Sequence, residues 1–156
     1  MSTTTVKFTL PNTKPFSINN LHYGRRKVRT AQARKWGDDI HKLINNDEIQ
    51  TAINVLQCNF NPLVHAFAVS YTFQMPKSKL YTLKGIISKT SFDVDNIAKP
   101  LTDLLFDARF FKRGIKNINI NDSFIQKITS QKIASGDDTY NILVQIDIID
   151  SKYKLL

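Results

Sequence analysis

The residues best suited to chemistry lie in one short run, Ser91-Phe-Asp-Val-Asp-Asn-Ile-Ala-Lys-Pro-Leu-Thr-Asp-Leu-Leu105. Asp93 and Asp95 are two residues apart, a spacing that in an extended segment points both carboxylates to one side. Asn96, Lys99 and Asp103 follow at helical spacing, so a helix beginning near Asp95 lines them along one face. Carboxylates held close together repel each other, and a divalent cation removes that conflict. With no His or Cys nearby, hard oxygen donors favour Mg²⁺ or Mn²⁺ over zinc. Two carboxylates alone make a weak site, so a third acid is expected from elsewhere. Asp122, just ahead of an apolar strand pattern, is the candidate, with Asp107, Asp137 and Asp138 as competitors. The last two sit in a turn-forming run and have an ordinary turn role. A purely structural reading also exists: Asp-x-Asp-Asn as a helix N-cap with an Asx-turn, and Asp103 as a surface partner for Lys99.

The charge balance points to a polyanionic partner. The chain has 22 Lys and Arg against 13 Asp and Glu, a formal net charge of +9, and basic proteins of this kind usually meet nucleic acid. The charges are clustered. Arg25, Arg26, Lys27, Arg29, Arg34 and Lys35 form one block, Lys77, Lys79, Lys84 and Lys89 a second, and Arg109, Lys112, Arg113 and Lys116 a third. None of these blocks contains an acid. Each read alone is equally well a solvated loop; three around an acidic cluster favour phosphate contact. Cys58 is the only cysteine, which rules out an intrachain disulfide and suits a reducing compartment. No stretch approaches the roughly 20 apolar residues of a membrane span and the N-terminus has no apolar signal segment, so a soluble, cytoplasmic protein is expected.

The elements that must position the acids can be read from periodicity. Val6, Phe8 and Leu10 alternate with polar residues as a strand ended by Pro11, and Pro11 to Asn20 reads as an extended loop. Thr30 is placed to cap a helix in which Ala33, Trp36, Ile40, Leu43 and Ile44 share a face, although Gly37 inside it costs about 1 kcal/mol relative to alanine. Asn45 and Asn46 end it or break it, and Asp47 to Leu56 has the spacing of a second helix. Ala66 to Met75 is the clearest strand, with Phe67, Val69, Tyr71, Phe73 and Met75 on one face and Pro76 at its end. A lysine-bearing loop without strong pattern, expected to be mobile, runs to Thr90. Proline is well tolerated only near a helix start, so the helix of the acidic segment is expected to begin close to Pro100, with a strand end delivering Asp93 and Asp95 to it. Phe124 to Ile133 and Tyr140 to Ile149 read as strands joined across Ser135-Gly136-Asp137-Asp138. The order strand, helix, strand, helix, strand, strand predicts a single α/β (α+β) domain over residues 1–156, with a mixed sheet of about four strands packed with two or three helices.

The longer string Asp93-Val-Asp95-Asn96-Ile-Ala-Lys99-Pro-Leu101-Thr-Asp103-x-Leu105, followed by Asn121-Asp122-Ser123-x-Ile125, resembles the RusA family of Holliday-junction resolvases. That family's pattern is Asp-x-Asp-Asn-x-x-Lys, an Asp-x-Leu, and an acidic pair before a strand. The N-terminal strand, the loop Pro15-Phe-Ser17-Ile-Asn19-Asn20, Tyr23 and the following helix extend the likeness. The resemblance implies a RusA-like fold, with Asp93, Asp95 and Asp122 as metal-binding catalytic acids, Lys99 as the functional lysine, and Asn96 and Asp103 as supporting positions. It also implies a Mg²⁺-dependent homodimer that cuts four-way DNA junctions by paired nicks, in recombination and repair, and many such proteins are encoded by phages or prophages.

The chain departs from the pattern in three places. Asn121 stands where the first acid of the pair would be, Phe92 stands where some relatives carry a basic DNA contact, and the stretch from Asp103 to Asp122 is long. That stretch contains Phe110 and Phe111 among Arg109, Lys112, Arg113 and Lys116, which reads either as a wedge at a DNA branch point or as core or dimer contacts. DNA contacts are expected from these residues and from Arg25, Arg26, Lys27, Arg29, Lys84 and Lys89. The rival readings are a non-catalytic binder of branched DNA and a metal-dependent nuclease acting on another structured nucleic acid.

Overall fold

The computed structural model describes residues 4–17, 22–23, 28–106 and 121–151, with only the backbone described at 22–23 and 28–29. The chain order is β1 (Thr5–Leu10), β2 (His22–Tyr23), β3 (Val28–Arg29), α1 (Ala31–Ile44), α2 (Asp47–Asn59), β4 (His65–Met75), α3 (Lys77–Leu80), α4 (Val94–Leu105), a 3₁₀ turn (Asp122–Phe124), β5 (Ile125–Ala134) and β6 (Asn141–Asp150). The fold is α+β, with a four-stranded mixed sheet in the order β1-β6-β4-β5 and a separate two-stranded antiparallel sheet of β2 and β3. β6 runs antiparallel to both β1 and β4, while β5 runs parallel to β4. A parallel neighbour requires a crossover, and the segment carrying α3 and α4 supplies it.

Alternation decides which face of the sheet is buried. On β4, Phe67, Val69, Tyr71, Phe73 and Met75 are buried with Ile142, Val144, Ile146 and Ile148 of β6 and Val6, Phe8 and Leu10 of β1. The helices supply the opposing layer of the same core through Ile40 and Ile44 of α1, Ile49, Ile53 and Leu56 of α2, and Ile97, Leu101, Leu104 and Leu105 of α4. The other face of β4, with Ser70, Thr72 and Gln74, is half-buried and polar. β5 and β6 follow one another in sequence but are not neighbours, because β4 lies between them. Their connection passes the end of β4, where Ser135 N–H donates to Met75 O at 2.8 Å.

Local capping fixes α1 at Thr30, as the residue pattern predicts, and α2 at Asn46, which the pattern marks only as the end of the first helix. Ala33 N–H donates to Thr30 Oγ1 at 3.1 Å, and Glu48 N–H donates to Asn46 Oδ1 at 2.7 Å. Such caps contribute about 1 kcal/mol each by satisfying otherwise orphaned amides. Gly37 is buried where α1 approaches α4, and a Cβ there would meet Leu104 Cδ1 at 3.4 Å. That is ordinary contact with the flexible end of a side chain, so the helix-propensity gain should dominate. Gly37→Ala is expected to stabilise the protein by up to about 1 kcal/mol, read as a higher urea midpoint at unchanged slope.

Two expectations are corrected. α4 does not start at Pro100: it starts at Val94, and Pro100 lies inside it. The missing proline N–H leaves Asn96 O without its helical donor, a loss typically of about 3 kcal/mol. Capping by Asp93 and burial of Ile97, Ala98, Pro100, Leu101, Leu104 and Leu105 on one side of the helix outweigh it. The lysine-bearing segment after β4 is also more structured than its sequence pattern indicates. It forms the single turn α3, buries Leu80, and closes an antiparallel bridge between Tyr81 and Ile87 around Gly85, whose φ is +78°.

Candidate active site

Asp93 is the N-cap of α4. Asp95 N–H donates to its Oδ1 at 3.2 Å, and Ile97 N–H donates to its backbone oxygen at 3.2 Å. Because the helix has already begun, Asp95 is in its first turn and not in an extended strand. The two carboxylates are therefore not presented side by side by strand alternation. Helical spacing instead lines up Asp95, Lys99 and Asp103, each four residues from the next. Asn96, expected on that line, is half-buried and does not face the pocket that the other three share.

That pocket, about 540 Å³, opens between α4 and β5, and Asp95, Lys99, Thr102, Asp103, Asp122, Gln126, Lys127 and Ser130 are among the residues that line it. Asp122 reaches it from the 3₁₀ turn, which Asn121 caps by accepting from Ser123 N–H at 2.8 Å. Asn121 thus holds the turn, leaving Asp122 exposed. Asp122 enters beside a helix, since no strand precedes Asp93 here. Among the described residues, the side chains of Asp95 and Asp122 make no hydrogen bond or ion pair. Lys99 Nζ lies 3.5 Å from Asp103 Oδ2, with Lys99 61% and Asp103 32% exposed. Such a surface pair contributes only about 0.3–0.5 kcal/mol and is easily exchanged for another partner.

The lining offers hard oxygen donors with no imidazole or thiolate, which in kind suits Mg²⁺ or Mn²⁺. In arrangement the fit is looser. Among the described residues, no three acidic, His or Cys side chains stand close enough together to hold an ion, and Asp93 does not line the pocket. Both parts of the structural reading are present, the Asp93 cap and the Lys99–Asp103 pair. They leave Asp95 and Asp122 unused.

The pocket rests on a buried polar pair. Thr102 Oγ1 donates to Ala98 O at 2.8 Å, so in its 2.8 Å contact with Tyr71 Oη the tyrosine is the donor. This ties α4 to the central strand directly beneath Lys99 and Asp103. Burial pushes the Tyr71 phenol well above the ordinary tyrosine range and the Asp103 charge adds to it; with the phenol as donor, the Thr102 contact also favours the protonated form. Above about pH 10 the unfolded chain releases this proton and the folded protein keeps it, so stability falls by about 1.4 kcal/mol per pH unit on this account. Tyr71→Phe is expected to cost about 1 kcal/mol at neutral pH and to lack this part of the alkaline decline. Urea unfolding on either side of pH ~10 should show the difference between wild type and variant narrowing as pH rises.

Lys132 of β5 positions the turn before α4. Its Nζ donates to Ser91 Oγ at 2.9 Å and to Phe92 O at 2.7 Å, clamping the residues just before Asp93. The sequence reading missed this lysine, together with Lys127, Gln126 and Ser130. The only available signal was strand alternation on β5, which does not say what faces the strand. Of the basic residues expected to meet DNA, Lys84 and Lys89 are exposed, with Lys77 and Lys79, on the segment after β4. Arg25, Arg26, Lys27, Arg109, Phe110, Phe111, Lys112, Arg113 and Lys116 lie outside the described residues, as do Asp107 and the side chain of Arg29. Asp137 and Asp138 have the turn roles read from the sequence: Asp137 accepts from Thr139 Oγ1 at 2.7 Å and Asp138 has φ of +58°.

Compared with models of known protein families and with curated proteins, the chain matches none. Among the described residues, no helix is long and apolar enough to cross a membrane.

Proposed function

We propose that this protein is a Mg²⁺-dependent, structure-specific endodeoxyribonuclease of the RusA kind that acts on four-way DNA junctions as a homodimer, inside the cell. One observation carries the reading. Asp95 and Asp122, far apart in sequence and without side-chain partners among the described residues, present their carboxylates to one pocket that also holds Lys99 and Lys127. A bound Mg²⁺ would supply Lewis-acid polarisation of the phosphate and a water of lowered pKa. Asp95 and Asp122 would hold it, and Asp93, which caps α4 outside the pocket lining, would have to turn its free oxygen toward them to join. Lys99 exchanges Asp103 for a phosphate oxygen and neutralises charge that grows in the transition state. Lys127 faces the same phosphate from the sheet side. A two-fold dimer gives each strand of a nearly two-fold symmetric junction its own site.

The looseness of the carboxylates as metal ligands, with Asp93 capping and Asp103 paired, favours one rival, a binder of branched DNA that does not cut. A labelled four-way junction, a linear duplex and other branched substrates, each with and without Mg²⁺, separate the readings. Paired nicks near the crossover that require Mg²⁺ are expected. Binding without cutting makes the protein the rival, and equal cutting of duplex or of other structures removes the junction assignment.

A further inference from the structure

We propose that a second pocket, lying between the α3 turn and Tyr140, is a phosphate-binding subsite for the nucleic-acid strand that continues from the carboxylate pocket. This subsite rests on the nucleic-acid part of the reading above and not on cleavage. It has a volume of about 330 Å³, and its lining includes Lys14, Ser78, Lys79, Thr90, Phe92 and Tyr140, with no acidic residue. Its charge is thus opposite in character to the first pocket, with ammonium groups and hydroxyl donors in place of carboxylates. Metal ions are repelled there and anions are attracted. Among the described residues neither lysine has a carboxylate partner.

The site is built, not a chance meeting of surface chains. Lys14 Nζ lies 5.6 Å from the centroid of the Tyr140 ring, within cation–π range. The backbone beneath it is fixed on both sides, because Trp36 Nε1–H donates to Lys14 O at 2.9 Å and Thr13 N–H donates to Tyr140 O at 3.0 Å. Thr90 Oγ1 is held 2.9 Å from Ser88 Oγ. The floor is held from behind by the Lys132 contact to Phe92 O at 2.7 Å.

Position identifies the anion. Phe92 lines this pocket and Asp95 lines the first, and three residues span at most about 11 Å of chain. One strand crossing the start of α4 reaches both. Lysines, as point charges without the fixed fork of arginine, accept a backbone phosphate in many orientations, which suits holding a strand in register more than reading its bases.

The test compares two double variants with the same loss of charge. Lys14→Gln/Lys79→Gln removes the subsite, and Lys7→Gln/Lys42→Gln removes two exposed lysines on β1 and α1. Each is titrated, without divalent cation, against a fluorescent single-stranded oligonucleotide and a four-way junction over a salt series, with folding checked by circular dichroism. The subsite variant is expected to bind at least ten-fold more weakly near physiological salt, with the log K against log [salt] slope reduced by about one. The control should change by no more than about two-fold. Equal losses in both variants, or no loss in either, overturn the subsite while leaving the endonuclease reading to its own cleavage test. Wild-type protein that binds neither oligonucleotide at low salt overturns both.

Discussion

Asp95→Asn and Asp122→Asn should each lower Mg²⁺-dependent junction cleavage about 10³-fold, equivalent to about 4 kcal/mol of transition-state stabilisation, without lowering the melting temperature. Among the described residues neither carboxylate has a structural partner to lose, so the fold has no reason to notice. Binding without metal should tighten. A phosphate entering the pocket meets the carboxylates of Asp95, Asp103 and Asp122 beside Lys99 and Lys127, and each acid neutralised removes a like-charge repulsion. A junction-binding titration in EDTA beside a single-turnover cleavage assay in Mg²⁺ checks both signs at once. Loss of cleavage accompanied by loss of folding would contradict the exposure of both residues, and normal cleavage would remove them from the chemistry.

Asp93 separates capping from chemistry in the same assays. Asparagine caps a helix about as well as aspartate, so Asp93→Asn keeps the bond from Asp95 N–H and should leave stability unchanged. Asp93→Ala loses the cap and should cost about 1 kcal/mol. If the free oxygen of Asp93 completes the ion's ligands, both variants lose cleavage equally despite their different stabilities. Normal cleavage by Asp93→Asn would confine Asp93 to capping.

How far these roles could be read in advance depended on whether the physics was local. The alternation Phe67, Val69, Tyr71, Phe73, Met75 has a single low-energy arrangement, one face buried, and the strand is where the pattern puts it. Thr30 and Asn46 cap their helices through contacts of two or three residues, also legible locally. Pro100 misled because the proline rule concerns one missing hydrogen bond, whereas the start of α4 is decided by a cap at Asp93 and an apolar face running from Ile97 to Leu105. Asn96 and Asp95 stand three and four residues before Lys99, so helical spacing alone fits either, and the fold places Asp95 in the shared pocket. The place of β4 between β5 and β6, and with it the wall of Gln126, Lys127 and Ser130, depends on long-range pairing that periodicity does not encode. Asp122 is legible as a candidate from its place just ahead of the β5 strand pattern, and the fold brings that residue to the same pocket as Asp95.

Phe67→Ala should be the most damaging single change to the fold, by about 3–5 kcal/mol, roughly a 10 °C fall in melting temperature. Phe67 is fully buried, stacked on Phe60 with centroids 4.2 Å apart and meeting Phe106 edge-on at 5.6 Å. Phe60 in turn meets Phe124 at 5.6 Å and 87°. Phe106 caps the end of α4, which carries Asp103, and Phe124 closes the turn that carries Asp122. Phe67 also pairs with Ile125 at the start of β5, beside the one irregularity in the β4–β5 register. Its ring therefore holds both walls of the carboxylate pocket through their nearest aromatic neighbours. Removing it leaves Phe60 free to shift and Phe124 without a fixed edge contact, so the Asp122 turn should loosen before the sheet does. Ile44→Ala, in the same core but on α1, is the matched control at about 2–5 kcal/mol. Well below both melting points, Phe67→Ala should show faster amide exchange at Ser123 and Phe124 and at least ten-fold slower cleavage per folded molecule, while Ile44→Ala should cleave normally. Equal cleavage by the two variants would mean that the aromatic cluster supports the core alone and that the Asp122 turn is held by its own Asn121 cap.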